Sequence, residues 1–287
     1  MGCCSPPGAM VLLLPLVVLL AACRPGHGYS SNCDYVLESR VVIGANDLTH
    51  LGQEVEVHTI RRAILHEYFN NKTMINDIAL LELDRPVHCS YYIQLACVPD
   101  ASLRVSELTD CYVSGWGHMG MRSAAPVQTA EVLQEAKVHL LNLNLCNSSH
   151  WYAGVLHTHN VCAGYPQGGI DTCQGDSGGP LMCKDKTADY FWLIGVTSWG
   201  RGCGRIQQPG VYASTQYFRN WILVQMGLLP AEAPTSTPYP VYVSTSYQRP
   251  KPTYSSPFRP CPFPRQKVLD FFNLLQELLQ GLRGKKA

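Results

Sequence analysis

The stretch Asp171-Thr172-Cys173-Gln174-Gly175-Asp176-Ser177-Gly178-Gly179-Pro180 places a serine inside a run of glycines. Glycine accepts backbone angles that other residues avoid, so the chain can turn sharply, expose the Ser177 hydroxyl and leave N–H groups free to converge on a developing oxyanion. A nucleophile and its oxyanion hole can then share one loop. Gly-Asp-Ser-Gly by itself also fits a glycine-rich turn with an incidental serine. The flanking Asp171, Cys173 and Pro180 argue for chemistry instead.

On both sides of this stretch, from about Val36 to Met226, short β-type runs are broken by Gly, Pro and Asn. Arg40 to Ile43, Asp77 to Leu83, Val132 to Leu140 and Trp192 to Trp199 are examples, and the pattern predicts an all-β antiparallel sandwich or barrel. Phe218, Trp221, Ile222 and Gln225 recur at helical spacing within Tyr217 to Met226, which predicts a helix closing the β domain. Composition then shifts. Residues 228–264 are dense in Pro, Ser, Thr and Tyr and read as an extended linker. Residues 265–287 carry Val268, Leu269, Phe272, Leu275, Leu279 and Leu282 on one helical face with a basic end. That helix either docks on its own domain or meets a partner or a membrane surface.

The 22 Lys and Arg of the 287-residue chain balance 21 Asp and Glu, so no long-range field favours nucleic acid. Residues 1–22, with an apolar run from Val11 to Ala22, read as a secretory signal that is too short to span a membrane. Residues 23–39 form a short remnant before a domain over 40–227. A myristoylation start fails because Pro6 stands where Ser or Thr is needed, and a lipoprotein box at Leu20 to Cys23 lacks the basic start. Thirteen cysteines suit an oxidising compartment, and the sequons at Asn71 and Asn147 agree with a secretory route and N-glycosylation there. The residue pattern calls for no metal and no cofactor.

With Gly115-Trp116-Gly117, Asn76-Asp77-Ile78-Ala79-Leu80, Ser198-Trp199-Gly200 and Pro209-Gly210-Val211-Tyr212 in order around the serine loop, the region from Arg40 to Met226 resembles the chymotrypsin/trypsin family. The resemblance implies a double antiparallel β-barrel with a C-terminal helix and a Ser-His-Asp mechanism. It implies Ser177 as nucleophile, Asp77 as the carboxylate that orients the histidine, and the N–H groups of Gly175 and Ser177 as the oxyanion hole. Asp171 would lie at the floor of the specificity pocket, with Gly200 and Gly210 keeping its walls open, so protein substrates would be cut after Arg or Lys. Disulfides Cys111–Cys183, Cys146–Cys162 and Cys173–Cys203 are also implied. Cys89 and Cys97 match cysteines that tether a light chain, with Cys23 and Cys33 as candidate partners. Asn160 to Pro166, Ile170 to Asp185, Leu145 to Ser148 and the Pro-rich tail resemble the acrosin branch. That branch implies an acrosomal or extracellular location and egg-coat glycoproteins as partners.

One part of the family pattern is missing. No histidine of the ten stands in an Ala-Ala-His-Cys context, and no Ile/Val-Val-Gly-Gly start occurs. Fewer than twenty residues separate Ala22 from Val41, where about half of the first barrel belongs. The chain as written is therefore expected to lack a general base, to leave Asp176 without its ammonium partner, and to present an unpaired edge in a truncated first barrel. His66 reads as a surface residue, and His157 and His159 as solvated rim residues.

Overall fold

The computed structural model of the chain describes residues 10–11, 16–17, 39–90, 92–119 and 129–230. Within these, short runs form strands β1 (Met10–Val11), β2 (Leu16–Val17), β3 (Arg40–Ile43), β4 (Glu56–Leu65), β5 (Ala79–Leu83) and β6 (Cys97–Val98). The later part of the chain supplies β7 (Cys111–Gly115), β8 (Gln134–Leu141), β9 (Asn160–Gly164), β10 (Pro180–Lys184), β11 (Phe191–Trp199) and β12 (Gly210–Ser214). A one-turn helix α1 (Leu143–Cys146), helix α2 (Arg219–Gln225) and a 3-10 turn at Val105–Glu107 complete the described elements.

Six strands close on themselves. The order β11-β10-β7-β8-β9-β12 returns to its start because β12 also pairs with β11, with Val196 opposite Ala213 and Thr197 opposite Tyr212. Closure leaves these strands without a free edge. Strand β12 shows why its sequence suits this place: its five residues are all buried, and successive side chains alternate between faces. Tyr212 joins the barrel core with Val113, Val138, Leu181 and Ile194. Val211 packs with Trp151 and Tyr152, whereas Ala213 packs with Phe218 and Ile222.

Helix α2 joins the two halves. Phe218, Ile222 and Met226, four residues apart, lie on one face against Ile78, Leu80, Val98 and Val196. Ile222 is fully buried, so its truncation to Ala would cost about 2–5 kcal/mol.

The first half is an open sheet in the order β2-β5-β4-β3, cored by Val41, Ile60, Leu81 and Leu83. Among the described residues nothing pairs β3 with β2. Strand β2 pairs with β5 at Leu16↔Glu82 and Val17↔Leu81, and β3 has β4 as its one neighbour among the described residues. Backbone groups of the N-terminal stretch thus cover the edge of β5 in the full chain.

All three implied disulfides are present, and Cys89 and Cys97 are disulfide-bonded as well. The Cys173–Cys203 bond closes a loop with a separation of 30 residues, which removes about 3.5 kcal/mol of chain entropy from the unfolded state. Residues 231–287, with most of the Pro-rich stretch and the terminal amphipathic pattern, lie outside the described residues, as do all but four of the first 22.

Candidate active site

Asn76 stands in the left-handed region at φ 55°, a conformation that Asn tolerates better than most side chains. Its side chain donates to the Tyr68 carbonyl at 3.2 Å, and Ile78 N–H donates to the Asn76 carbonyl at 2.9 Å. The tight turn ends the approach and delays β5 to Ala79. It also turns Asp77 inward, where it is 5% exposed. The Ser198 hydroxyl of β11 donates to Asp77 Oδ2 at 2.5 Å, so a carboxylate from the first half is held by the second. Burial pushes the Asp77 carboxyl up, against the lowering effect of that hydrogen bond.

The serine loop lies between β9 and β10. Gly175 has φ +95°, and a Cβ there would also come within 3.0 Å of the Gly117 Cα, so the turn requires glycine. Ser177 is exposed. Gly178 N–H donates to the Thr197 carbonyl at 2.9 Å, which fixes the loop to β11 beside the Ser198 that holds Asp77. Asp176 turns toward backbone donors: Gly117 N–H reaches Oδ1 and Cys173 N–H reaches Oδ2, each at 2.9 Å. A Cβ at Gly117 would lie 2.4 Å from the Asp176 carboxyl carbon, which explains the second glycine of Gly-Trp-Gly.

Asp171 sits at the start of the same loop. Burial raises its carboxyl to about 6, although Thr172 N–H at 2.8 Å, Gly204 N–H at 3.1 Å and the Gly210 N–H all pull it down. It lines a cavity of 280 Å³ together with Val113 to Gly115, Gly117, His118, Thr172, Cys173, Asp176 and Gly204. Gly200 is not part of that lining, and Gly210 meets Asp171 so closely that a Cβ would sit 2.9 Å from Oδ1. The disulfide Cys173–Cys203 ties the two segments of this wall together.

Two histidines differ from their sequence reading. His159 is only 6% exposed, stacks on His157 and lies under Tyr217 and Phe218, with Asn76 N–H directed at its Nε2 at 3.4 Å. His66 is half-buried against Phe218 and Trp221. Burial holds both imidazoles below their ordinary value. Among the described residues, Asp77 has Ser198 as its hydrogen-bond partner and no imidazole reaches it. The Ser198 contact is the functional feature that sequence reasoning missed. Ser198-Trp199-Gly200 stood out as a pattern, but a pattern does not reveal that its serine clasps an aspartate 121 positions earlier.

Of the two sequon asparagines, Asn71 is exposed. The Asn147 amide is engaged on both sides: Oδ1 accepts Leu156 N–H at 2.9 Å and Nδ2 donates to the Leu156 carbonyl at 3.0 Å.

A glycine-framed serine loop fixed to the closed barrel next to the residue that holds an aspartate from an adjoining sheet is the arrangement of the trypsin-like serine peptidase fold. The chain matches the trypsin family over residues 30–222 and belongs to that family. It is 38% identical over 222 residues to transmembrane protease serine 9 of Rattus norvegicus, covering 73% of this chain and 20% of that relative. It is also 37% identical over 169 residues to transmembrane protease serine 11B of Homo sapiens, covering 59% and 39% respectively. The chain thus spans well under half the length of these curated relatives. No helix among the described residues is long and apolar enough to cross a membrane.

Proposed function

We propose that this chain carries the scaffold of an acrosin-type serine endopeptidase specific for Arg and Lys, and that as written it binds such side chains without cleaving beside them. The observation that carries this reading is Asp77 held by Ser198 with no imidazole beside it among the described residues. Ser177 would be the nucleophile, Asp77 the orienting carboxylate, the Gly175 and Ser177 N–H groups the oxyanion hole, and Asp171 the counter-charge for substrate. Without a base, the serine hydroxyl keeps its proton. In an unrelated enzyme with the same triad, loss of the histidine lowers turnover about 10⁶-fold. Asp176, whose two oxygens each accept a backbone N–H, supports the same reading.

Support for the acrosin assignment comes from Asn160 to Pro166, Ile170 to Asp185 and the Pro-rich tail. With the missing segment restored, the expected substrates are proteins with Arg or Lys at the cleavage site, egg-coat glycoproteins among them, and the expected location is the acrosomal vesicle or the extracellular space. The binding-module reading is favoured by one observation, an acidic cavity that is formed although the base is missing.

The test uses the purified full chain with an Arg amide substrate, a fluorophosphonate serine probe and an aryl amidine ligand, with Ser177→Ala as the blank. Turnover and labelling should equal the blank. Amidine binding should persist and vanish in Asp171→Ser. Because the empty pocket titrates at about 6 and a cation favours the ionised form, affinity should level off above that pH and fall about tenfold per pH unit below it. Turnover above the blank would refute the missing-base assignment. Equal amidine affinity at pH 4.5 and 7.5 would refute the role of Asp171.

A further inference from the structure

We infer that His66 and His159 are positioning residues for Asp77: their neutral rings accept the backbone N–H groups of Tyr68 and Asn76, clamp the turn that carries the carboxylate, and release it when protonated. The inference rests on the reading of Asp77 as the orienting carboxylate.

The bonds run in one line through the turn. His66 Nδ1 accepts the Tyr68 N–H at 3.2 Å, the Tyr68 carbonyl accepts the Asn76 side-chain amide at 3.2 Å, and the Asn76 N–H reaches His159 Nε2 at 3.4 Å. Asn76 is thus tied by its side chain to the segment that His66 holds and by its backbone to His159. Asp77 is the next residue. The two anchors come from different halves of the molecule, since His66 follows β4 and His159 precedes β9. Asn76 itself stands at φ 55°, a conformation that persists only where the surroundings hold it.

A backbone N–H can only donate, so the ring nitrogen facing it must keep its lone pair, and each neutral ring carries its proton on the other nitrogen. Protonation of the facing nitrogen sets N–H against N–H and breaks the bond. His159 is 6% exposed, stacked on His157 and covered by Tyr217 and Phe218, and the titratable groups that reach it, His157 and His66, would repel a charge there. Around His66, Phe218 and Trp221 carry no charge. The carboxylate that faces it, Glu67 at 4.0 Å from Nδ1, already accepts the Trp221 indole N–H at 3.0 Å. Burial holds both imidazoles below their ordinary value of 6.5, so the clamp is complete above 6.5 and is lost as pH falls from there through the folded values.

Nuclear magnetic resonance on the oxidatively folded, isotope-labelled full chain, from about pH 7.5 to 4.5, tests the inference. The ring Cε1–H signals of His66 and His159 should titrate at lower pH than in the urea-unfolded chain, and the amide signals of Tyr68 and Asn76 should move along the same curves. The Asp77 carboxyl carbon should show a matching step that His66→Gln/His159→Gln removes. In His159→Gln the side-chain carbonyl accepts without titrating, so the Asn76 amide should hold its place at every pH. His159→Leu offers no acceptor and should show the displaced Asn76 amide already at pH 7.5. Should these variants fail to fold, the titration of the parent chain decides. Tyr68 and Asn76 amides that stay fixed while the rings titrate would overturn the clamp. Amides that move without a matching step at Asp77 would overturn the positioning role. Both results are independent of whether Asp77 orients a histidine, which is judged by the turnover of Asp77→Asn in a chain with the missing segment restored.

Discussion

At Asp77 the molecule holds a buried carboxylate that meets a hydroxyl, and no imidazole among the described residues. Burial favours the neutral acid, and the Ser198 hydroxyl only partly offsets that preference. The folded carboxyl therefore titrates above the unfolded value of 3.8, so its contribution to stability is present in full below pH 3.8 and is lost as pH rises through the folded value. Asp77→Asn, which cannot ionise, should raise Tm at pH 7 and leave it nearly unchanged at pH 3.5. Ser198→Ala, which leaves the buried carboxylate unpaired, should cost about 1–3 kcal/mol at pH 7. Thermal melts of the three proteins at both pH values check this, and an Asn variant that melts below the parent at pH 7 would contradict it. Ser177, Asp77 and Asp171 were legible because each belongs to a local pattern of residues. His159 was not. Its neighbours in His157-Thr-His-Asn160 look like a loop, and it is buried by Tyr217 and Phe218, which follow more than fifty residues later.

Among the elements, α1 and the turn around Asn71 give the two sequons unequal standing. Asn147 caps the C-terminus of α1, and its amide spans the loop to Leu156 with two hydrogen bonds. A glycan on Nδ2 would take one of its two hydrogens and would have to fit beside the bond to the Leu156 carbonyl. Asn71 lies exposed in a turn where the neighbouring Asn70 side chain already accepts the Lys72 and Thr73 N–H groups. Folded protein from a glycosylating host should carry its glycan at Asn71, with the added mass lost in Asn71→Gln and kept in Asn147→Gln. A glycan mapped to Asn147 in folded protein would overturn this. Strand positions were largely legible, since exposure alternates along β3 and β11 carries an unbroken buried run from Trp192 to Thr197. Their starts were less so. The strand read from Asp77 begins at Ala79, because the left-handed Asn76 and the inward Asp77 belong to a turn that no hydrophobic pattern announces.

For the whole molecule, the two halves differ in how completely they are held. The second is a closed six-stranded barrel crossed by three disulfides, whereas the first is an open four-stranded sheet with a smaller core. Amides of β10, β11 and β12 should exchange only by global unfolding, and those of β3 and β4 earlier, by partial opening. Exchange mass spectrometry in mild denaturant gives the ranking, and equal protection of both halves would refute it. The all-β class was legible in the short runs broken by Gly, Pro and Asn. The cover on β5 was not, since a run read as a leader carries no mark of the strand it pairs with.

The bond between Cys111 and Cys183 joins residues that already face each other across β7 and β10. Under tension applied at the chain ends, that covalent link would carry the load past the strands between them. Its sequence separation of 72 residues, at about 3.5 Å each, hides roughly 250 Å of contour from extension. Force would thus stretch the outer segments and leave the loop bearing Ser177 unpulled for as long as the bond stays oxidised.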